Sequence, residues 1–258
     1  MKIFTQCIVC VKELGHPSFE PIFVAFDDNL IASGTCSRGH KFNNVLQANK
    51  FEIFMDCGAD AIIKEYPLEA CFNFAMAREN LFLFAVEIML DETQQDDYLK
   101  IIKKQSERIL GAFSALYFIN FQKVFKFDKK QSGIKDDIVK FRNDLVHQGK
   151  IPTLLEANAY GEAIYNEMDE IIQNLQTKYK SRIHNHTMNK LRSKYEKSDF
   201  DNCSTQSCTM MYSLSTENTK KMTFTEKLIE FKKMQSLITG SIPDMKALFA
   251  QISKQIGK

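Results

Sequence analysis

The spacing of apolar positions changes along the chain. Up to about residue 62, short runs rich in β-branched and aromatic residues ("KIFTQCIVCV", "PIFVAF", "NLIASGTC" and "FEIFMDC") are separated by turn residues, which predicts a small β-rich unit. From Pro67 the period becomes helical. A helix over about 67–90 carries apolar residues on most of its surface, among them Leu68, Cys71, Phe72, Phe74, Leu81, Phe82 and Val86, and so is expected at the centre of a bundle. A second is expected over about 96–121, with Ile101, Ile109, Phe113 and Leu116 on its core face. A third, over about 134–147, places Ile134, Ile138, Phe141 and Leu145 at i, i+4, i+7 and i+11, and Gly149 and Pro152 stop it. The fourth opens at Thr153 and Glu156, a capping-box pair, and continues to at least Tyr179. Four helices with short connections predict a bundle.

Beyond the bundle the pattern thins. Residues 178–197 hold seven Lys/Arg against the single acid Glu196, which predicts a helical extension with a solvated basic face. Residues 199–219 are rich in Ser, Thr and Asn and read as a loop, with "TMMYSLST" as a candidate strand. Thr223 and Glu226 cap a last helix, and Gly240 and Pro243 lead to a short terminal one. The expected organisation is therefore a β-rich unit over 1–62, a helical bundle over 63–195 and a polar loop with C-terminal helices over 196–258. The fold class is mainly α.

Composition adds three constraints. With 44% hydrophobic residues, 258 residues can bury one sizeable core or two unequal ones. The longest apolar run, 81–90, contains Glu87 and is half the roughly 20 residues a membrane span needs, so a buried helix and no membrane anchor are expected. The apolar start is interrupted by Cys7, Cys10 and Glu13 with no small-residue cleavage site after it, which predicts a cytoplasmic protein. Net charge is only +2, but residues 1–99 have a balance of −8 and the remainder one of +10, which directs any polyanionic partner to the later part.

Seven cysteines, an odd number, with no export signal argue against a disulfide framework. Cys7-x2-Cys10 and Cys36-x3-His40 instead form two paired-ligand knuckles about 25 residues apart, with Gly34 and Gly39 flanking the second. This Cys3His set predicts a zinc ion, and four protein ligands close its shell, so a structural role is expected. His16 is an alternative ligand without a paired partner. Cys57 and Cys71 lie on apolar segments and read as packing residues, and Cys203-x4-Cys208 is spaced too loosely for a knuckle.

The stretch "FRNDLVHQGK", residues 141–150, concentrates polar chemistry at the end of the third helix. Asn143 and His147, four apart, share a face, while Phe141, Leu145 and Val146 are expected to turn inward. Arg142 lies about 140° around the axis from His147, within reach of a long guanidinium. A histidine in a last turn meets the negative end of the helix dipole, and a group titrating near neutrality suits proton transfer. An arginine offers a fork of donors for phosphate. Together these suit RNA cleavage in which the substrate's own 2′-hydroxyl attacks phosphorus, the histidine moves a proton, the arginine stabilises charge on the phosphate and no metal takes part. The alternative is that His147 and Lys150 complement a helix C-terminus while Asn143 and Asp144 are solvated.

Arg142-Asn143-Asp144-Leu145-Val146-His147 at the end of a third bundle helix resembles the Arg-x(4–6)-His motif of the HEPN superfamily, commonly written with a polar residue after the arginine. The resemblance covers about residues 63–180. It implies a HEPN-like helical bundle and a metal-independent endoribonuclease, often a toxin or anti-phage defence effector, working as a homodimer with one composite cleft. Arg142 and His147 would be catalytic and Asn143 would position them. RNA would be the substrate, with an antitoxin or regulatory protein as a further partner. Upstream, "TCSRGHKFNNVLQANKFEIFMDCGADAIIKEYPLEACFNFAMARENLFLF" looks like the segment of bacterial HEPN-like proteins with an N-terminal metal finger, in which a Glu on the first bundle helix is common near the site; Glu79 matches it. A second reading of Arg78, Glu79 and Asn80 is a polar strip facing solvent. Some HEPN proteins are instead non-catalytic modules for dimerisation or for nucleotide or partner binding, which is the competing expectation for the whole chain.

Overall fold

The computed structural model describes residues 2–16, 18, 22–90, 95–198, 202–214 and 222–238. The protein is mainly helical, with a small β region near its N-terminus. Its contacts divide it into two units, Met1–Ala48 with Thr187–Asn218 and Lys227–Lys258, and Asn49–His186 with Thr219–Glu226.

In the first unit, β1 (Ile3–Thr5) leads through Cys7 into α1 (Ile8–Leu14), which Gly15 ends at φ +75°. Only the start of "KIFTQCIVCV" is a strand, because the helical turn from Cys7 puts Cys7 and Cys10 together in the buried cluster with Ile22, Cys36 and Phe42. β2 (Ile22–Val24) pairs antiparallel with β1, Phe4 opposite Phe23. β3 (Ile31–Thr35) and β4 (Lys41–Leu46) form a hairpin, and β5 (Cys203–Gln206) adds to β4 in parallel, with Asn43 opposite Cys203. Asn44, wholly buried, donates to Thr5 Oγ1 and to the Gln6 carbonyl (3.1 Å) and accepts from Ser204 Oγ, which ties the two sheets together. The strand of the later loop is thus "CSTQ". Residues 209–214 form none, and the rest of "TMMYSLST" lies outside the described residues.

The second unit begins earlier than residue 63. "FEIFMDC" is not a strand but part of α2 (Lys50–Ile63). Asn49 starts it, its N–H donating to the Glu52 carboxylate at 2.6 Å, and Phe51, Met55, Ala59 and Ile62 form a buried stripe at helical spacing. α3 (Pro67–Met89) opens on a proline at its first turn and packs against α2, α5 (Ser106–Phe121) and α6 (Ile138–His147). The expected second helix is broken into α4 (Gln95–Ile102) and α5, with Gln105 extended between them. α6 starts at Ile138, four residues later than expected, because Asp137 caps it by accepting from the N–H groups of Val139 and Lys140 at 2.9 Å. α7 (Leu154–Glu196) is interrupted at Tyr179, whose φ/ψ of −127°/25° is not helical, and α8 (Phe224–Ile238) is the last described helix. The short helix expected after Gly240 and Pro243 lies outside the described residues.

Phe74 of α3 is completely buried, with its ring against two glycines, Gly58 of α2 and Gly161 of α7, and edge-on to Phe224 at 5.9 Å. A Cβ at Gly161 would lie 2.6 Å from Phe74 Cε2 and 2.8 Å from Phe224 Cζ. Gly111 of α5, by contrast, has open space where its Cβ would be. Gly161→Ala is therefore expected to destabilise the protein by about 1–3 kcal/mol through overpacking. Gly111→Ala should stabilise it by about 0.5–1 kcal/mol through helix propensity alone. Urea denaturation of the two variants checks the opposite signs.

Candidate functional site

Cys7, Cys10, Cys36 and His40 converge in the first unit, their ligating atoms all within 4.8 Å of one another. α1 supplies the first pair, Cys7 before its first turn and Cys10 within it. The loop joining β3 to β4 supplies the second. That loop closes through Cys36 N–H to the His40 carbonyl (3.1 Å) and Gly39 N–H to the Cys36 carbonyl (2.9 Å), with Gly39 at φ +83°, a conformation glycine adopts without strain. Cys10 Sγ lies 3.7 Å from Cys36 Sγ and 3.3 Å from His40 Nδ1, and Cys7 Sγ is 4.0 Å from the same nitrogen. A tetrahedral ion with Zn–S near 2.3 Å and Zn–N near 2.0 Å has ligand–ligand edges of roughly 3.5–3.8 Å. Three thiols and one imidazole at these separations can hold a metal ion.

The surroundings of the cluster suit thiolates unequally. Burial, with Cys36 and Cys7 beside it, pushes the Cys10 thiol up to about 11. At Cys36 burial acts in the same direction, but hydrogen bonds from the backbone of His40 and Arg38 outweigh it and leave the thiol below its ordinary value. Two residues that spacing did not single out complete the site. Glu13 Oε1 stands 3.4 Å from His40 Nε2, and Arg38 Nη1 is 2.8 Å from Glu13 Oε2. Glu13, three residues after Cys10, could have been found as the next position on that face of α1. His16, Cys57, Cys71, Cys203 and Cys208 stand outside the cluster. Burial raises Cys57 to about 11 and Cys71 to about 12, as for packing thiols.

In the second unit Arg142 Nη2 donates to Glu79 Oε1 at 2.7 Å and Nη1 to Asn143 Oδ1 at 3.2 Å. Three of the four expected residues thus meet, Glu79 from α3 and the others from α6. His147 ends α6 on the surface, and among the described residues no hydrogen bond or ion pair joins it to the other three. The Gln148 and Lys150 N–H groups return to the Asp144 carbonyl at 3.1 and 3.2 Å and close the helix, and Gly149 follows at φ +66°. Val146 is exposed rather than buried, as are Ile151, Leu154 and Leu155 beyond it.

The triplet Arg78-Glu79-Asn80 is not a strip facing solvent. Arg78 turns inward, where Nε and Nη2 bind the Glu167 carboxylate of α7 at 2.7 and 3.2 Å and Nη2 also holds the Phe127 carbonyl at 3.1 Å. Asn80 returns to the Met76 carbonyl at 2.8 Å. Burial pushes the Glu167 carboxyl above the usual range, against the pull of Arg78. In the basic stretch of α7, Tyr179 gains an aromatic neighbour that the local sequence lacks, Phe121 at 6.4 Å, with Lys178 over both rings. Among the described residues no helix is long and apolar enough to cross a membrane. Comparison with protein-family models, with curated proteins and with solved structures gives no match.

Proposed function

We propose that the helical unit is a metal-independent endoribonuclease of HEPN type, a toxin or anti-phage effector working as a homodimer in the cytoplasm, and that the Cys3His cluster holds a structural zinc ion. The observation that carries the nuclease reading is the pairing of Arg142 with Glu79, two side chains about a quarter to a third exposed (27% and 30%). A guanidinium has five N–H donors. One goes to Glu79 and one to Asn143, which fixes the plane of the fork and leaves donors for a phosphate. A preorganised cation of this kind stabilises the charge that develops as a 2′-oxygen attacks phosphorus. His147, on the same helix and open to solvent, exchanges the proton, taking it from the 2′-hydroxyl or giving it to the departing 5′-oxygen. The products are a 2′,3′-cyclic phosphate and a 5′-hydroxyl.

Exposed apolar side chains support a second copy as the missing half of the cleft. On α3, Leu68, Phe72 and Met76 are exposed at i, i+4 and i+8, and Glu79 falls on the same stripe. After α6, Ile151 is 80% exposed and Leu155 nearly as much. These residues lie on α3, which carries Glu79, and just after α6, which carries Arg142, and a symmetric contact through them would bring two α6 helices together. The zinc proposal rests on the donor set: three thiolates and one imidazole leave no open coordination position, so the ion joins α1 to the β3–β4 loop rather than reacting.

Purified protein should cleave single-stranded RNA with free Mg2+ chelated, and a strand carrying 2′-deoxyribose at the cleaved position should survive. Arg142→Ala and His147→Ala should each lower the rate by about 100-fold or more, with Glu79→Gln intermediate and the circular dichroism of all three unchanged. Equal cleavage by His147→Ala and the unsubstituted protein, or none by either, would leave a non-catalytic dimerisation or partner-binding module. Ile151→Glu should convert the dimer to a monomer by light scattering and abolish cleavage, while shifting stability by no more than about 0.5 kcal/mol. Elemental analysis should find close to one zinc per chain, lost to background on Cys36→Ser.

A further inference from the structure

We infer that Glu13 is a positioning residue of the metal centre, holding His40 with Nδ1 turned to the ion, and that Arg38 in turn holds Glu13. The inference rests on the metal centre proposed above. Nδ1 is the ring atom that faces the sulfurs, 3.3 Å from Cys10 and 4.0 Å from Cys7. An imidazole that gives this lone pair to a metal must carry its proton on Nε2, and Nε2 is the atom that meets Glu13 Oε1 at 3.4 Å. The carboxylate therefore selects the ligating tautomer and fixes the ring's rotation. The second carboxylate oxygen is held separately, by Arg38 Nη1 at 2.8 Å.

The placement of the three residues gives the contact a further effect. Glu13 follows Cys10 by three positions on α1, and Arg38 lies between Cys36 and His40 in the β3–β4 loop. The carboxylate thus links the same two elements that the ion joins, from outside the coordination shell. Before metal binds, it keeps the Cys7–Cys10 half and the Cys36–His40 half facing each other, so less ordering remains to be done on binding. Glu13 and Arg38 are 42% and 46% exposed, and an ion pair so open to solvent adds little to folding by itself. A large effect on metal retention with little effect on the fold is the signature that separates positioning from simple support.

The test is the rate at which zinc-loaded full chain releases zinc to an excess of chromogenic chelator, with circular dichroism confirming that each variant is folded. Glu13→Gln is expected to release zinc about 10–100-fold faster, the usual consequence of removing an outer-shell partner. Arg38→Gln should accelerate release less, because Glu13 keeps its contact to the ring. In a His40→Cys background there is no ring to orient, and adding Glu13→Gln should change the rate by no more than about twofold. Release from Glu13→Gln at the unsubstituted rate overturns the inference. So does an equal acceleration in both backgrounds, which would place the effect in the loop and not in the imidazole. A chain that takes up no zinc overturns the metal centre itself, and metal content reveals this before any release is timed.

Discussion

The ring of Phe74 sets how closely three helices of the second unit approach. A phenyl group fits between α2 and α7 only where both present a glycine, Gly58 on one side and Gly161 on the other. Two helix-interior glycines cost about 1 kcal/mol each in propensity, so their presence here reflects packing and not backbone freedom. The consequence is that α3 is held between α2 and α7 at Phe74. Arg78, one turn on from Phe74, lies on the same buried face and meets α7, while Glu79 lies a further 100° or so around and meets α6. The candidate active site depends on this aromatic clamp, because its carboxylate is carried by the clamped helix.

Two Arg–Glu pairs at successive α3 positions show how burial changes what one chemistry does. Arg78–Glu167 is enclosed, bidentate and flanked by the rings of Phe82 and Phe127 at 5.1 and 6.0 Å. Desolvating both charges is expensive, and removing either partner would leave the other charge buried at a cost of about 3–5 kcal/mol. That pair is committed to the fold, and its contact with the Phe127 carbonyl anchors the loop that feeds α6. Arg142–Glu79 keeps access to water, so its attraction is screened and its structural worth is small. A guanidinium held in orientation, but not sealed, keeps part of its donor fork open to solvent.

Elements set by short-range spacing were legible in the sequence, and those set by distant partners were not. The four candidate metal ligands follow from two local knuckles, and the α3, α6 and α7 segments from helical periodicity. "FEIFMDC" misleads because seven mostly apolar residues fit a strand as well as a buried helix, and the deciding cue lies outside the run, in Asn49 and Glu52. β4 is hidden by Asn43 and Asn44. Its alternation holds only at the start, since Asn44, Val45 and Leu46 are all buried, and an asparagine reads as buried only once Thr5, Gln6 and Ser204 satisfy it. Arg78 looked solvated for the same reason, since its partner lies 89 positions away.

The two units solve the problem of burial differently. The helical unit has enough apolar surface to order itself around Phe74 and the stacked pair Phe82 and Phe113, whose centroids are 4.6 Å apart. The small unit also buries Leu30, Val45, Leu46 and Met211, but its Cys/His cluster is packed differently. Three of the five buried residues in that cluster, Cys7, Cys10 and Cys36, are candidate ligands, with Ile22 and Phe42 beside them and Ile8, Val9 and Val24 partly buried against them. Three thiols packed this tightly gain modestly as small apolar groups and repel one another as thiolates. A divalent ion held there would reverse that balance, turning mutual repulsion into attraction. This explains why Cys36 receives backbone hydrogen bonds that favour its thiolate, although burial opposes it. The Glu13 carboxylate meets that imidazole from outside the cluster, so on the inference above the orientation of His40 is set by a group that need not itself be buried.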